Sequence, residues 1–419
     1  MQGYADRDAD GPCQDVHDDL FVRAAYVEHA DEAALLVGLD LLFLDRETVD
    51  ECKATIGERL GLEAHRVLLN ASHTHTGPRV CRWNYAEPVA DCLGAVETAA
   101  AEAAEAARAS SRPAALWAGE TRSQLPLSRR GVDVNGAIVF APNPDAPVCG
   151  ALPICLIKDM NDDPVLLLFS VSCHPSTVHG FDISADYPGV AMERLDEHLG
   201  APASLFLQGT GGDAKPSVIG QGGAWHLGDW HDVRRAGLLV AREVMQALSM
   251  GLAPVPPRLR CALVETEWPL VPPPDATEYR ALLESAATQG DAPETAARRA
   301  WAREQLARIE TDGRLPRSVG LRLHGVQLAN RVRLIGVEAE VVGELGLLIR
   351  DAYREGVTFA LGCTNGAQLC LPTSAMLYEG GYEVTSYFEY HQPAPLGKGI
   401  EHVLRRGLEE LRRAGIGGP

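Results

Sequence analysis

"AALLVGLDLLFLDRETVDECKATIGERLGLEAHRVLLNAS", residues 33–72, holds two apolar runs with an amphipathic stretch between them. The outer runs, 33–45 and 66–72, are short and almost wholly apolar, as strands covered on both faces are. "RETVDECKATIGERLG" (46–61) instead repeats its apolar residues at helical spacing. Strand, helix and strand in immediate succession is the alternation of an α/β protein. Outward from this core the pattern continues. A helix is expected over 89–110, ending near Pro113, which has no N–H to extend a helical ladder. Short strand-like runs follow in "ALWAGETRSQLP", "AIVFAP" and "ALPICLIKD". "PVLLLFSVSCHPS" (164–176) is the most strand-like stretch and runs into His174-Pro175. From about 272 to 318 the pattern turns to Ala, Glu and Arg at helical spacing, which reads as a helical insertion. Two strands joined at Asn330-Arg331, a helix over 341–356 and an amphipathic C-terminal helix complete the chain.

Composition narrows the function classes. With 419 residues, 46% of them hydrophobic, the chain buries a substantial core. Its 57 acidic residues exceed its 38 basic ones, and the formal charge of −19 repels phosphate backbones and anionic membrane surfaces. Neither nucleic acid nor membrane is an expected partner, and association with a second copy of the chain stays open. "MQGYADRDADGPCQDVHDDL" has neither a basic n-region nor an apolar h-region, so a cytoplasmic location is expected. Ten cysteines without a CxxC pair or a regular framework read mostly as buried thiols.

The polar residues gather at the ends of the apolar runs, where open α/β sheets place their sites. In "NASHTHTGP" (70–78), His73 and His75 lie two apart, and on a strand such residues share a face. Both rings can bind a metal, one can bind metal and the other substrate, or both can be structural. His174 ends another strand and offers a further imidazole. Asp186 in "ISADYPG" reads as a helix cap or as the carboxylate that orients a ligand histidine. "LFLQGTGGDAKP" (205–216) is a strand followed by a glycine-rich turn that carries Asp213 and Lys215. The N–H groups of Gly211-Gly212 are candidates to face an oxyanion. "GVEAEVVGELG" offers Glu338, Glu340 and Glu344, of which at least one is expected to serve a helix dipole.

In order, "DVHDDLFVRAAYV", "LLNASHTHTGP", "SCHPSTVHGFDISADYPG", "FLQGTGGDAKP", "LIGVEAEVVGELG" and "NGAQLCLPTSAMLYEGGYEVTSYF" resemble the neutral/alkaline ceramidase family over nearly the whole chain. The resemblance implies an α/β fold with a mixed β-sheet core flanked by helices, as one catalytic domain over 1–419. It implies zinc ligands at His73, His174 and Glu340, with Cys370 where the family has a tyrosine. It places His75 near substrate, and Arg129 and Tyr382 along the active site. Three departures stand out. Lys215 occupies the place of the family's nucleophilic serine, in "GDAKPS". Cys370 would soften the zinc site or act as a free nucleophile. The opening strand, the secretion signal and the C-terminal β-sandwich domain of ceramidases have no counterpart, which argues against a membrane-lipid substrate.

The expectation is therefore a Zn2+-dependent hydrolase of an amide or ester in a soluble acylated small molecule. Zinc would activate water and polarise the carbonyl, His75 would move the proton, and Arg129 would face the oxyanion. Asp213 and Lys215 complete the candidate catalytic set, Lys215 as a carboxylate partner, base or nucleophile. Two rivals remain open: acyl transfer or cyclisation in a biosynthetic pathway through Cys370 or Lys215, and a non-catalytic binding protein.

Overall fold

The computed structural model describes residues 1–4, 13–85, 87–286 and 292–417. Three sheets form the interior. One has five strands, in the order Ser204–Gln208, Pro164–Val171, Ala151–Asp159, Ala114–Arg122, Ala253–Val255. A second has four, Pro257–Pro269, Ser318–Ala329, Val332–Val337 and Val357–Leu361. The third pairs Val22–His29, Glu32–Leu39 and Val67–Ala71. Each sheet mixes parallel and antiparallel neighbours, so the α/β class and the mixed sheet core are as the sequence and its resemblance implied.

Alternation along the strands builds the layers. Leu166 and Leu168 face a cluster shared with Leu36, Leu68, Leu205, Val326, Leu334 and Phe359, which joins the three sheets. Leu167, Phe169 and Val171, pointing the other way, meet the helices Asp186–Leu199 and Trp230–Met250. In the same manner Leu35 and Val37 pack on the helices Arg46–Leu60 and Ala90–Ala109. Ile335 and Val337 pack on Gly343–Ala352 and Ile400–Arg413. A period of two in each strand thus serves two different apolar layers, which explains why the strand sequences read as continuous apolar runs.

Several elements differ from the sequence expectation. The run 33–45 is strand only to Leu39; residues 40–45 leave the sheet and lead into the next helix. The 13-residue strand Pro257–Pro269 and the helix Trp230–Met250 carry no motif that singles them out. The expected insertion contains the helices Ala276–Ala286 and Pro293–Asp312, while its residues 287–291 lie outside the described residues, as do residues 5–12 of the N-terminal stretch read for a signal peptide. These helices buttress the segment 387–393. Tyr279 Oη donates to Pro393 O at 2.8 Å, Trp301 Nε1 to Gln392 O at 2.8 Å, and the Arg298 guanidinium lies 4.1 Å over the Phe388 ring. Seven of the ten cysteines are buried and all are free thiols. Among the described residues, no helix is long and apolar enough to cross a membrane.

A buried asparagine draws the strand ends together. Asn70 Nδ2 donates to Gly362 O at 2.8 Å, and its Oδ1 accepts from Gln208 N at 2.7 Å. Backbone bridges Asn70 to Thr364 and Gly209 to Leu361 close the same junction. Three strands from distant parts of the chain therefore end at one place, and the polar residues that follow them meet there.

Candidate metal centre and its cavity

His73 and His75 do not share a strand face. The strand stops at Ala71, and His73 adopts a left-handed backbone with φ 68°, so the i, i+2 geometry of an extended chain does not apply. Two long-range bonds impose this turn: Ser72 N donates to Leu39 O and His73 N to Leu41 O, each at 2.8 Å. His75 N is held by Pro175 O at 3.0 Å, and His174 N by Ala214 O at 3.0 Å. Loop geometry, rather than pleat, brings the rings together. One ring nitrogen from each of His73, His75 and His174 lies within 4.8 Å of the others.

Each imidazole is oriented by a carbonyl. His73 Nδ1 donates to Leu42 O at 2.9 Å, His174 Nδ1 to Gly211 O at 2.7 Å, and His75 Nδ1 to Gly3 O at 2.5 Å. With Nδ1 carrying the proton, Nε2 presents its lone pair to the site. His73 Nε2 and His174 Nε2 each stand 3.4 Å from the same atom, Glu340 Oε2. His73 Nε2 is buried and makes no hydrogen bond. Glu340 Oε1 is occupied from behind by the Tyr390 hydroxyl. Three electron-rich atoms converging in a buried site repel one another unless a cation lies among them.

A proton on His73 supplies part of that charge. Burial opposes it, but the Glu340 carboxylate and the Cys363 thiol outweigh burial and hold His73 above its ordinary range. Glu340 is held low for the matching reason: burial acts against it, and the two histidines prevail. A divalent ion satisfies all three atoms at once. Tetrahedral ligand atoms about 2.0–2.1 Å from zinc stand about 3.3–3.4 Å apart, the spacing that Glu340 Oε2 keeps from both rings. His73, His174 and Glu340 therefore fit a zinc ion. His174, pushed down to about 4 by burial and by Arg129, is neutral, as a ligand must be.

A cavity of about 310 Å3 opens over this cluster. It is lined by His73, His75, His174, Glu340, Arg129, Lys215 and Tyr382 of the expected set. Arg129 Nε donates to Glu383 Oε1 at 2.9 Å, its Nη1 lies 3.5 Å from His174 Nε2, and its guanidinium packs 5.0 Å from the Tyr382 ring centre. Lys215 Nζ donates to Ser176 O and Ser176 Oγ, both at 3.2 Å. Tyr382 Oη donates to Glu389 Oε2 at 2.7 Å. His75 is held well below its ordinary range by burial and by the neighbouring His73 and His174, so its imidazole is neutral.

Two expected residues do not line the cavity. Asp213 Oδ1 accepts from Gly343 N at 2.7 Å, which caps the helix that follows Glu340; burial pushes this carboxyl up to about 6. Cys370 pairs with Glu340 in a two-residue parallel bridge and is buried beside it, outside the histidine cluster. Burial and the nearby Glu340 and Glu383 push its thiol up. The glycine-rich turn also differs from expectation. Gly211 N donates to Gly209 O and Gly212 N to Val341 O, so neither N–H faces an oxyanion. These glycines serve close packing instead: a Cβ on Gly211 would meet Cys173 N at 2.4 Å. Asp186 orients no histidine; it holds Thr177 N and Thr177 Oγ1 at 2.9 and 2.6 Å and so secures the loop after His174. Glu338 is engaged by Arg46 Nε at 2.8 Å and by Arg322 N at 3.0 Å, leaving Glu340 as the acid of the site.

Sequence reasoning missed Tyr390, Glu389, Ser176, Phe140 and Tyr4. Tyr390 and Glu389 sit in a short 3-10 turn, Ser386–Tyr390, whose spacing carries no motif. Glu389 is pushed up to about 7 by burial and faces the cavity, a property that depends on its surroundings alone.

Neither a scan against family models nor a search of curated proteins found a match. Solved structures do match. The neutral ceramidase from Pseudomonas aeruginosa aligns with 99% of this chain and 72% of its own, at a TM-score of 0.74 and 15% identity. A ceramidase complexed with C2 aligns with 100% of this chain and 73% of its own, at 0.74 and 14%. The chain has the neutral-ceramidase fold. Within that fold, His73 and His75 follow the strand that Asn70 ties to its neighbours, while His174 follows Pro164–Val171 and Glu340 follows Val332–Val337, and all four line one cavity.

Proposed function

We propose that the chain is a zinc-dependent hydrolase that cleaves an amide or ester bond in a soluble acylated small molecule. The carrying observation is the convergence of His73 Nε2 and His174 Nε2 on Glu340 Oε2, 3.4 Å from each, in the wall of a cavity of about 310 Å3. The ceramidase fold supports amide hydrolysis as the reaction class. Zinc, when bound, supplies Lewis acidity to the acyl carbonyl and to water. The chain's own residues do the rest. His73, His174 and Glu340 hold the ion, and Tyr390 fixes the second oxygen of Glu340. His75, neutral and across from His174 with ring centres 5.3 Å apart, accepts the proton of the attacking water and returns it to the leaving nitrogen or oxygen. The balance is one acyl C–N or C–O bond broken and one C–O bond formed from water, giving an acid and an amine or alcohol. Arg129 Nη2, buried with no hydrogen-bond partner among the described residues, would donate to the developing oxyanion.

The test is metal analysis joined to turnover of a panel of N-acylated and O-acylated compounds. The purified chain is expected to carry one zinc per chain and to lose turnover when chelated; His73→Ala and His174→Ala lose both. Zinc-free protein with full turnover, or turnover that survives both substitutions, refutes the reading.

A further inference from the structure

The cavity beside the histidine cluster holds a lysine ammonium. Among the described residues, no carboxylate pairs with Lys215; its ammonium is held by Ser176 O and Oγ and by the faces of Phe140 and Trp225, 5.6 and 5.9 Å from their ring centres. Both of these hydrogen bonds go to one serine, and Lys215 lines the cavity. Arg129 packs on the same ring, its guanidinium 6.0 Å from the Phe140 centre, with Nη2 buried and without a partner among the described residues. The carboxylates that line the cavity are engaged elsewhere: Glu340 by His73, His174 and Tyr390, and Glu389 by Tyr382. Glu383, beneath, is shared between Arg129 and Arg130.

A buried ammonium is costly unless paired, and donors left unspent in a binding cavity mark where a ligand supplies acceptors. A nucleophilic amine would have to offer a lone pair. Here Nζ donates to a backbone carbonyl and a serine oxygen, the contacts of an anchored donor. Resting on the hydrolase reading above, we infer that the substrate bears a carboxylate, as an N-acyl amino acid does, and that Lys215 binds it while the acyl carbonyl faces His73, His174, Glu340 and Arg129 Nη2. A cationic donor matches a carboxylate, and a cavity at the small end of ligand sites matches a compound of that size.

Equilibrium binding separates this inference from turnover. The probes are the ketone isostere of N-hexanoylglycine, in which a methylene replaces the amide N–H so that nothing is cleaved, and the same ketone ending in a methyl ketone instead of the carboxylate. By calorimetry on the zinc-loaded chain, the carboxylate probe is expected to bind about 10- to 100-fold more tightly than the neutral one. Lys215→Met and Lys215→Gln should each remove most of that margin without changing affinity for the neutral probe. Equal affinities in the wild type, no binding of either probe, or a margin that survives both substitutions overturns the inference; the wild-type comparison stands even where a variant folds poorly. Hydrolysis of N-hexanoylglycine is read separately. If neither it nor any member of the acylated panel is cleaved while the carboxylate margin holds, the hydrolase reading falls and the anion site stands. If it is cleaved with no margin, the reverse holds.

Discussion

Replacing Lys215 by methionine should make the protein more stable, by an amount that fades as pH rises. Burial, assisted by the nearby Arg129 charge, lowers the Lys215 ammonium from 10.5 to about 8. That depression corresponds to about 3 kcal/mol as an upper bound, at about 1.4 kcal/mol per unit. The side chain is only partly buried by exposed area, so solvent screening reduces the figure to about 1–2 kcal/mol. The sign follows from proton counts. Below about pH 8 both folded and unfolded chains carry the proton, and the folded state bears the full cost of burying it. Between about pH 8 and 10.5 the unfolded chain binds more protons than the folded one, so wild-type stability contributed by this group rises with pH. Methionine fills nearly the same volume without the charge. Urea unfolding of wild type and Lys215→Met, compared at about pH 7 and about pH 9.5 with m unchanged, should show the variant ahead by about 1–2 kcal/mol at the lower pH and by roughly half that at the higher. A variant no more stable at neutral pH, or a gain that does not shrink with pH, refutes the claim that an unpaired ammonium strains this cavity.

Two other substitutions probe the supports of the site. Tyr390→Phe leaves Glu340 Oε1 without the hydroxyl that holds it, and zinc affinity measured by chelator competition should fall about 10- to 100-fold; unchanged affinity means the phenol does not orient the ligand. Asp213→Ala removes the acceptor at 2.7 Å from Gly343 N and should cost about 0.5–2 kcal/mol in urea unfolding, whereas Asp213→Asn keeps an acceptor and should cost under about 0.5 kcal/mol. Equal losses in the two variants would remove the helix-capping role.

How far the site is legible in the sequence differs residue by residue. The motif around His73 and His75 is visible because both rings follow an apolar run, yet the reason first offered for their proximity, a shared strand face, does not apply where His73 takes φ 68°. Glu340 is separated from Glu338 only by resemblance; in the structure Arg46 claims Glu338 and two imidazoles face Glu340. Tyr390 and Glu389 carry no signal, since the helices Ala276–Ala286 and Pro293–Asp312, far away in sequence, buttress their turn.

What the sequence by itself determines is the local grammar: apolar runs of strand length, helical periodicity between them, and polar residues at the run ends, which together dictate an α/β chain with its chemistry at strand ends. These follow from side-chain periodicity and need no distant contact. The tertiary structure alone decides which polar residues meet. Asn70 ties three strand ends together, carbonyls of Leu42, Gly211 and Gly3 choose the tautomers of three histidines, and Ser176 anchors the Lys215 ammonium in the cavity. Convergence and desolvation are properties of segments far apart in the chain, and no spacing within one segment encodes them.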